Sequence, residues 1–321
     1  MRCVRSLAPE RALLPNLRVL VVEGGSGDGS AAKLARGLAD RTYRDWVSFL
    51  PLEINGGYGW SNNQGILTLS RDEHPPEFIH ILNPDTEVTK GAVASLAREL
   101  QEHSRCGAAG SQLLNPDGTN AASAFRFPSG GREFINAAQS ERLGHMMGIG
   151  STVIETRASA AVDWVTGASV MFRSAALRET GLFDDGFFLY FEEVELMHRM
   201  KAGGWSIRHV PDSRVVHAEG SSTGVGGESV RPLPDYWYRS RLRYFARTGG
   251  GLSPAFANLA WMAGRGVALA KGVVGIRKRH AAQRIGNMLR TGSWPRRHDR
   301  HGSISKWGDA PGRPPAWMAR S

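Results

Sequence analysis

Cysteine is scarce in this chain: only Cys3 and Cys106 occur in 321 residues. Two such distant residues form no disulfide framework and no metal-binding spacing, and they fit a reducing compartment. The opening M-R-C-V-R-S-L-A-P-E carries no long apolar core of the kind a signal peptide needs. No internal repeat is visible. The glycine-dense run G-G-S-G-D-G at 24–29 lacks the G-x-G-x-x-G spacing, which excludes a dinucleotide fingerprint there. The most apolar stretch, 254–276, is broken by Arg265, Lys271 and four glycines, and this argues against a membrane-spanning segment.

Acidic residues thin out in one region. Residues 271–321 hold 12 Lys/Arg and 2 Asp/Glu, which accounts for the whole net charge of +10. The rest of the chain is balanced, with 28 residues of each sign. A charge-balanced body argues against nucleic-acid binding, which needs a basic face on the folded domain. The basic tail meets an anionic surface such as lipid headgroups, or serves only solubility. Length and a hydrophobic fraction of 41% suit a globular protein with one large core or two modest ones.

Apolar runs alternate with turns and helical patterns. Leu17–Val22, Trp46–Leu50 and Phe78–Leu82 read as buried strands closed by turn-rich sequence. Helical patterns follow at Ser30, after the Gly/Asn loop at 56–65, and from about Lys90 to Glu102. This order predicts an α/β fold built on a mostly parallel sheet, with ligands at the carboxyl ends of the strands. Residues 120–160 read as a variable loop, and the core resumes at Val162. Tyr236–Arg247 reads as a further segment beyond a Gly/Ser loop, and the last thirty residues as a disordered tail.

The densest chemistry lies between Asp163 and His217. There F-D-D-G-F-F-L-Y-F delivers two adjacent acids, Glu192 and Glu193, to a helix start, and a strand at Ser213–Val216 closes on His217. Acids at a helix start are favoured by the dipole alone, by roughly 0.3–1 kcal/mol. The aromatic block preceding them would also desolvate a carboxylate and make it a better base. Asn83-Pro84-Asp85 after the strand F-I-H-I-L reads as a turn, or as a carboxylate placed to hold a divalent cation against a diphosphate. Glu23 and Asp28, among glycines, could accept hydrogen bonds from a nucleotide, or simply shape their loop.

Taken in order, V-V-E-G-G-S-G-D-G-S, N-G-G-Y-G-W-S-N-N-Q-G-I, I-L-N-P-D-T-E-V and the Asp163–His217 block resemble the family 2 glycosyltransferases, in particular rhamnosyltransferase-like members that act in bacterial cell-surface polysaccharide synthesis. The resemblance runs from about Arg2 to Arg247. It implies a GT-A fold and inverting, metal-assisted transfer of one sugar, rhamnose by analogy, from a nucleotide-diphosphate sugar to a lipid-linked or polysaccharide acceptor. By position, Glu23 and Asp28 would hold the nucleoside, Asn83 and Asp85 the metal–diphosphate motif, and Gly167 and Ala168 the pocket wall. Glu193 would be the general base, Glu192 its support, and His217 a contact to the Mg²⁺ or Mn²⁺ ion. No Q-x-x-R-W segment appears, so a processive polymerase is not expected.

The same resemblance places Glu where the family usually has Asp at 23 and 193, and sets the chain's start within the helix that follows the family's first strand. The expectation is then a truncated catalytic domain over 1–222, unstable or poorly active as it stands, with a catalytically inactive remnant as the alternative. A helical, membrane-surface region would follow over 223–290 and a basic tail over 291–321, with the protein at the cytoplasmic face of the cell membrane. In 254–276, Trp261 would share a helix face with Arg265, so polar and apolar sides do not separate cleanly. A helix packed on the body and an interfacial helix with a basic flank both remain open.

Overall fold

The computed structural model of the chain describes residues 1–218, 233–273, 304–315 and 317–318. Helix α1 (Arg2–Leu7) continues into a 3-10 turn at Ala8–Ala12. Strand β1 (Val19–Glu23), helix α2 (Ser30–Leu38), strand β2 (Val47–Pro51) and helix α3 (Tyr58–Leu69) follow. Strand β3 (Phe78–Leu82) turns into β4 (Thr86–Val88), and helix α4 (Ala92–Glu102) leads to β5 (Cys106–Leu114). Next come β6 (Ala124–Phe125), helices α5 (Gly130–Ala138) and α6 (Glu141–Met146), and strands β7 (Ala160–Val162), β8 (Trp164–Val165) and β9 (Ser169–Arg173). Helix α7 (Ser174–Thr180), helix α8 (Glu192–Ala202) and the long strand β10 (Ser206–His217) complete the body, and α9 (Asp235–Thr248) and α10 (Ser253–Val273) lie beyond it.

The main sheet has the order β3-β9-β5-β10-β4, with β7 added on β10. It is mixed rather than mostly parallel. Strand β10 runs parallel to β5, whereas β9 is antiparallel to both β3 and β5. The reason is where the chain re-enters. After leaving β5 at its carboxyl end, the 115–168 excursion returns to the same edge, so β9 starts beside the ends of its neighbours, with Ser169 opposite Leu82. The turn Thr166–Ala168 therefore sits at the ligand-binding edge expected of such sheets. Strands β1 and β2 pair in parallel as a separate two-stranded unit.

Apolar side chains cover the two sheet faces in separate clusters. One joins Ile66 and Leu67 of α3 to Leu177 of α7 and Leu196, Met197 and Met200 of α8. The other joins Val4 and Leu7 of α1 to Leu96 and Leu100 of α4. A buried acid locks α1 in place. Glu10 is fully buried and its carboxylate accepts backbone N–H bonds from Gly91, Val93 (3.0 Å) and Ala94 (3.2 Å), at the start of α4. The N-terminal end of a helix has unsatisfied N–H groups and a positive dipole end, which makes it a good site for a carboxylate.

Two expectations are corrected. The expected loop at 120–160 contains α5 and α6, each with a serine cap: Ser129 accepts from Arg132 N and Ser140 from Leu143 N, both at 3.3 Å. In the expected disordered tail, residues 304–315 instead pack on the body. Leu182 N donates to Ser305 O (2.9 Å), Trp60 Nε1 to Arg313 O (2.8 Å), and Trp307 lies under the Arg178 guanidinium (4.7 Å). Buried aromatic anchors outweigh the Gly, Pro and Arg-rich composition that reads as disorder. The Gly/Ser loop beyond Ser221, and residues 291–303 of the tail, lie outside the described residues.

Helix α9 is tied to the body by ion pairs taken out of water. Arg243 Nη2 donates to both oxygens of the fully buried Asp184 (2.7 and 2.9 Å), and Arg247 Nε approaches the same carboxylate at 3.3 Å. Arg241 donates to Glu133 of α5 (2.9 and 2.7 Å). Removing one member of such a pair leaves a buried charge uncompensated, at a cost of roughly 3–5 kcal/mol. Arg243→Met should therefore lower unfolding free energy in urea by about 3 kcal/mol, with Arg247 retaining part of the compensation; a loss under about 1 kcal/mol would contradict the assignment.

Candidate active site

The β3–β4 turn and the end of β10 bring Asp85 and His217 together. His217 Nε2 lies 3.3 Å from Asp85 Oδ1, and the two residues are mostly buried. The register that does this is the antiparallel pairing of β10 with β4, which sets His217 opposite Thr86. Thr86 closes the turn by donating its hydroxyl to Asn83 O (2.6 Å), and Asn83 N donates to Ala168 O (2.9 Å). Asn83, Asp85, Ala168 and His217 thus share one edge of the sheet.

The same turn connects to the acid pair. Tyr58, at the start of α3, donates its hydroxyl to Gly167 O (2.6 Å), and the Gly167 backbone also reaches the Glu193 carboxyl. Burial, and then the Glu193 charge, push the Tyr58 phenol up, so it remains a donor. Burial raises both glutamates above their ordinary range, and for Glu192 the neighbouring Glu193 charge adds to the shift. Two carboxylates this close do not both ionise readily. Glu192 is 2% exposed and its carboxyl is raised the further of the two. Glu193 Oε2 has no hydrogen-bond partner among the described residues.

A strained backbone presents these acids. Tyr190 and Phe191, the two residues before α8, have φ of 70° and 69°, the left-handed region that side chains other than glycine disfavour. Each such residue costs on the order of 1–3 kcal/mol and persists only where its surroundings hold it. Here α9 supplies the hold. Tyr190 stacks with Tyr236 (6.0 Å between centroids), Phe191 packs edge-on against Trp237 (5.6 Å), and Ser240 Oγ donates to Leu189 O (2.8 Å). From the other side Tyr58 N donates to Phe188 O (3.0 Å), where Gly57, at φ 89°, leaves room that a Cβ 2.0 Å from that oxygen would fill.

The other expected residues lie at the end of β1 and in the loop after it. Glu23 is buried at the end of β1. Burial opposes its ionisation, but hydrogen bonds from Ser26 N (2.9 Å), Ser30 Oγ (3.1 Å) and Gly25 N (3.2 Å) outweigh it and hold the pKa below the usual value. Its carboxylate therefore shapes its own loop. Asp28 is exposed and accepts Ser30 N (2.9 Å) at the start of α2. Neither residue has a hydrogen bond to the Asp85 edge among the described residues. A group of three potential metal ligands, Glu99, Glu102 and His103, lies at the C-terminal end of α4, but there Glu99 is already paired with Arg208.

Sequence reasoning missed Tyr58, Asn63 and Asp185. Asn63 Nδ2 donates to Asp185 Oδ1 (2.7 Å) and to Phe183 O (2.9 Å), and Phe183 N donates back to Asn63 Oδ1 (3.0 Å). Their signal was present, a Tyr and an Asn in a glycine-rich loop opening a helix, yet only the long-range contact gives it meaning. A divalent cation fits the Asp85–His217 edge: carboxylate oxygen and imidazole nitrogen are donors that Mn²⁺ accepts, and His217 Nδ1 is buried with no hydrogen-bond partner among the described residues.

This mixed sheet flanked by helices is the GT-A fold of a glycosyltransferase. Residues 78–264 match the sequence model of glycosyl transferase family group 2, and the chain belongs to that family. It is 30% identical over 228 residues to the N-acetylglucosaminyl-diphospho-decaprenol L-rhamnosyltransferase of Mycobacterium tuberculosis, covering 68% of this chain and 71% of that protein. To the rhamnosyltransferase WbbL of Escherichia coli it is 28% identical over 107 residues, 32% of this chain and 39% of the relative. The fold is similar to that of GalNAc-T7 solved with UDP, GalNAc and Mn²⁺, with a TM-score of 0.50, 13% identity, and coverage of 76% of this chain and 47% of that one.

Asp185 gives this region a measurable pH signature. Burial pushes its carboxyl up to about 6, against hydrogen bonds from Ser305 and Asn63 that favour the charged form. A raised carboxyl stabilises the fold below its unfolded pKa, and that stability is lost as pH rises through about 6. Asp185→Asn should match the wild type in denaturant near pH 4 and exceed it by about 1–3 kcal/mol above pH 6; equal stability at both pH values would refute the buried charge.

Proposed function

We propose that this glycosyltransferase moves a single hexosyl group, rhamnose, from a nucleotide-diphosphate sugar to a lipid-linked acceptor at the cytoplasmic face of the cell membrane, within cell-surface polysaccharide synthesis. The donor sugar and acceptor class rest on the rhamnosyltransferase relatives, one of which is named for a diphospho-decaprenol substrate. The observation that supports the catalytic reading is the Thr166–Ala168 turn, where Ala168 O accepts Asn83 N next to the Asp85–His217 pair and the Gly167 backbone reaches Glu193.

Glu193 takes the proton from the acceptor hydroxyl, and the freed oxygen attacks the anomeric carbon in line with the departing diphosphate. A carbon–oxygen bond forms on one face as the bond to the diphosphate breaks on the other, so the anomeric configuration inverts. Asp85 and His217 would hold Mg²⁺ or Mn²⁺, which when bound offsets negative charge on the diphosphate. Asn83 positions the turn that carries Asp85. Gly167 and Ala168 form the pocket wall, and Glu23 and Asp28, in and after β1, hold the nucleoside. Glu192, protonated beside Glu193, keeps the charge on its neighbour. Tyr58 fixes the Gly167 carbonyl and so the distance across the cleft.

Glu193→Gln should lower transfer by about 10²–10⁴-fold while donor affinity changes little, since general-base removal has that magnitude. Residual turnover above a tenth of wild type would rule out Glu193 as base, and a wild type without turnover on any donor would favour the inactive-remnant reading. The rate should rise with pH as Glu193 ionises, through an apparent pKa above that of an ordinary glutamate, because the charged form is the base. A rate that stays flat down to pH 4 would remove the carboxylate from the mechanism.

A further inference from the structure

Helix α10 turns its charges inward. Arg265 is 2% exposed, and its Nη1 donates to Ala137 O at 3.5 Å. Lys271 Nζ donates to Ala138 O at 3.3 Å. Both carbonyls belong to the last turn of α5, where unsatisfied C=O groups and the negative end of the dipole favour cations. Close approach of the two helices makes this possible: a Cβ on Gly264 would lie 2.2 Å from Phe134 O, so the glycine lets the backbones meet. Trp261 shares the face of Arg265, as the spacing predicts, its ring centroid 5.7 Å from the guanidinium. With the cations turned inward, the outer face is uniformly apolar.

That outer face is exposed along the whole helix. Leu252, Phe256, Leu259, Met262 and Leu269 are 84%, 64%, 62%, 37% and 41% exposed, and Ala263, Gly266 and Ala270 lie exposed among them. Steps of four, three, three and seven keep these residues on one stripe of a helix. An exposed apolar stripe five turns long is unusual on a soluble domain and marks an interaction surface. No helix among the described residues is long and apolar enough to cross a membrane. The next thirty residues, 274–303, carry eight Lys/Arg and a single acid, Asp299.

We propose that α10 lies in the plane of an anionic bilayer, its Leu252–Leu269 stripe at the headgroup–acyl boundary, and that the cationic sequence after it favours anionic lipid. Charge selects this occupant. A second copy seated on the stripe would bring two cationic runs together, whereas anionic lipid complements them. The proposal deepens the reading of a lipid-linked acceptor: it assigns the surface that would carry the enzyme to such an acceptor.

The test is co-flotation of the full chain with phosphatidylcholine vesicles, with and without about a third phosphatidylglycerol. Wild type should partition at least about tenfold more strongly onto the anionic vesicles. Leu259→Glu combined with Leu269→Glu should weaken that binding at least about tenfold, since each charge would enter the apolar boundary. Phe256 is left unchanged because its ring rests against Gly130. Replacing Arg277, Lys278 and Arg279 by Gln should reduce binding to anionic vesicles only. Thermal unfolding of each variant checks the fold. Equal binding by wild type and the double variant would overturn the proposal, as would a concentration-dependent dimer in light scattering that the double variant abolishes. Vesicle binding requires no turnover, so an inactive protein that still floats would sink the catalytic reading alone.

Discussion

The buried contact of Arg243 and Arg247 with Asp184 is the constraint on which the site depends. A carboxylate with no exposure is tolerated only when cations reach it, and here both cations come from α9. That pairing docks α9 against the 181–191 loop. Once docked, its Tyr236, Trp237 and Tyr244 rings surround Phe188, Tyr190 and Phe191. Aromatic packing of this extent, on the order of 0.5–1.5 kcal/mol per pair beyond area burial, can hold two residues in the left-handed region. The strained entry to α8 then aims Glu192 and Glu193 at the carboxyl edge of the sheet.

Electrostatics divides the labour within that edge. The Asp85–His217 pair keeps one side polar and partly reachable, whereas the acid pair sits against Phe183 and Gly59 on the other. Desolvation raises both glutamates, and their mutual repulsion keeps the more buried one neutral. Both shifts run upward, the larger one at the more buried Glu192, beside a turn of small residues. The Thr166–Ala168 turn reaches both halves through its backbone: Ala168 O accepts Asn83 N, and Gly167 O accepts the Tyr58 hydroxyl.

Helix α9 also connects the site to the periphery, since it packs on α8 at one side and α10 at the other. Residues 304–315 fasten the opposite flank, where Ser305 Oγ donates to Asp185 (3.0 Å) and Gly312 N to Gln64 Oε1 (2.6 Å). The aromatic loop is thus braced by segments far from it in sequence. Its shape is a property of the whole chain.

Much was legible in the residues themselves. The strand Phe78–Leu82, the turn at Asn83–Asp85, the acid pair at a helix start and the histidine closing β10 all follow from local chemistry: β-branched runs, turn formers and dipole-favoured acids. Local chemistry could not decide which polar groups meet. Tyr58 and Asp185 had no visible role until Gly167 and Asn63 came within hydrogen-bond reach. Likewise Arg265 and Lys271 appeared to break an amphipathic helix, and only packing against the carbonyl end of α5 turned them inward. Elements and their signals are set by neighbours in the chain. The direction a charge faces is set by where the nearest low-cost partner lies in space, and for Arg265 and Lys271 that partner is more than a hundred residues away.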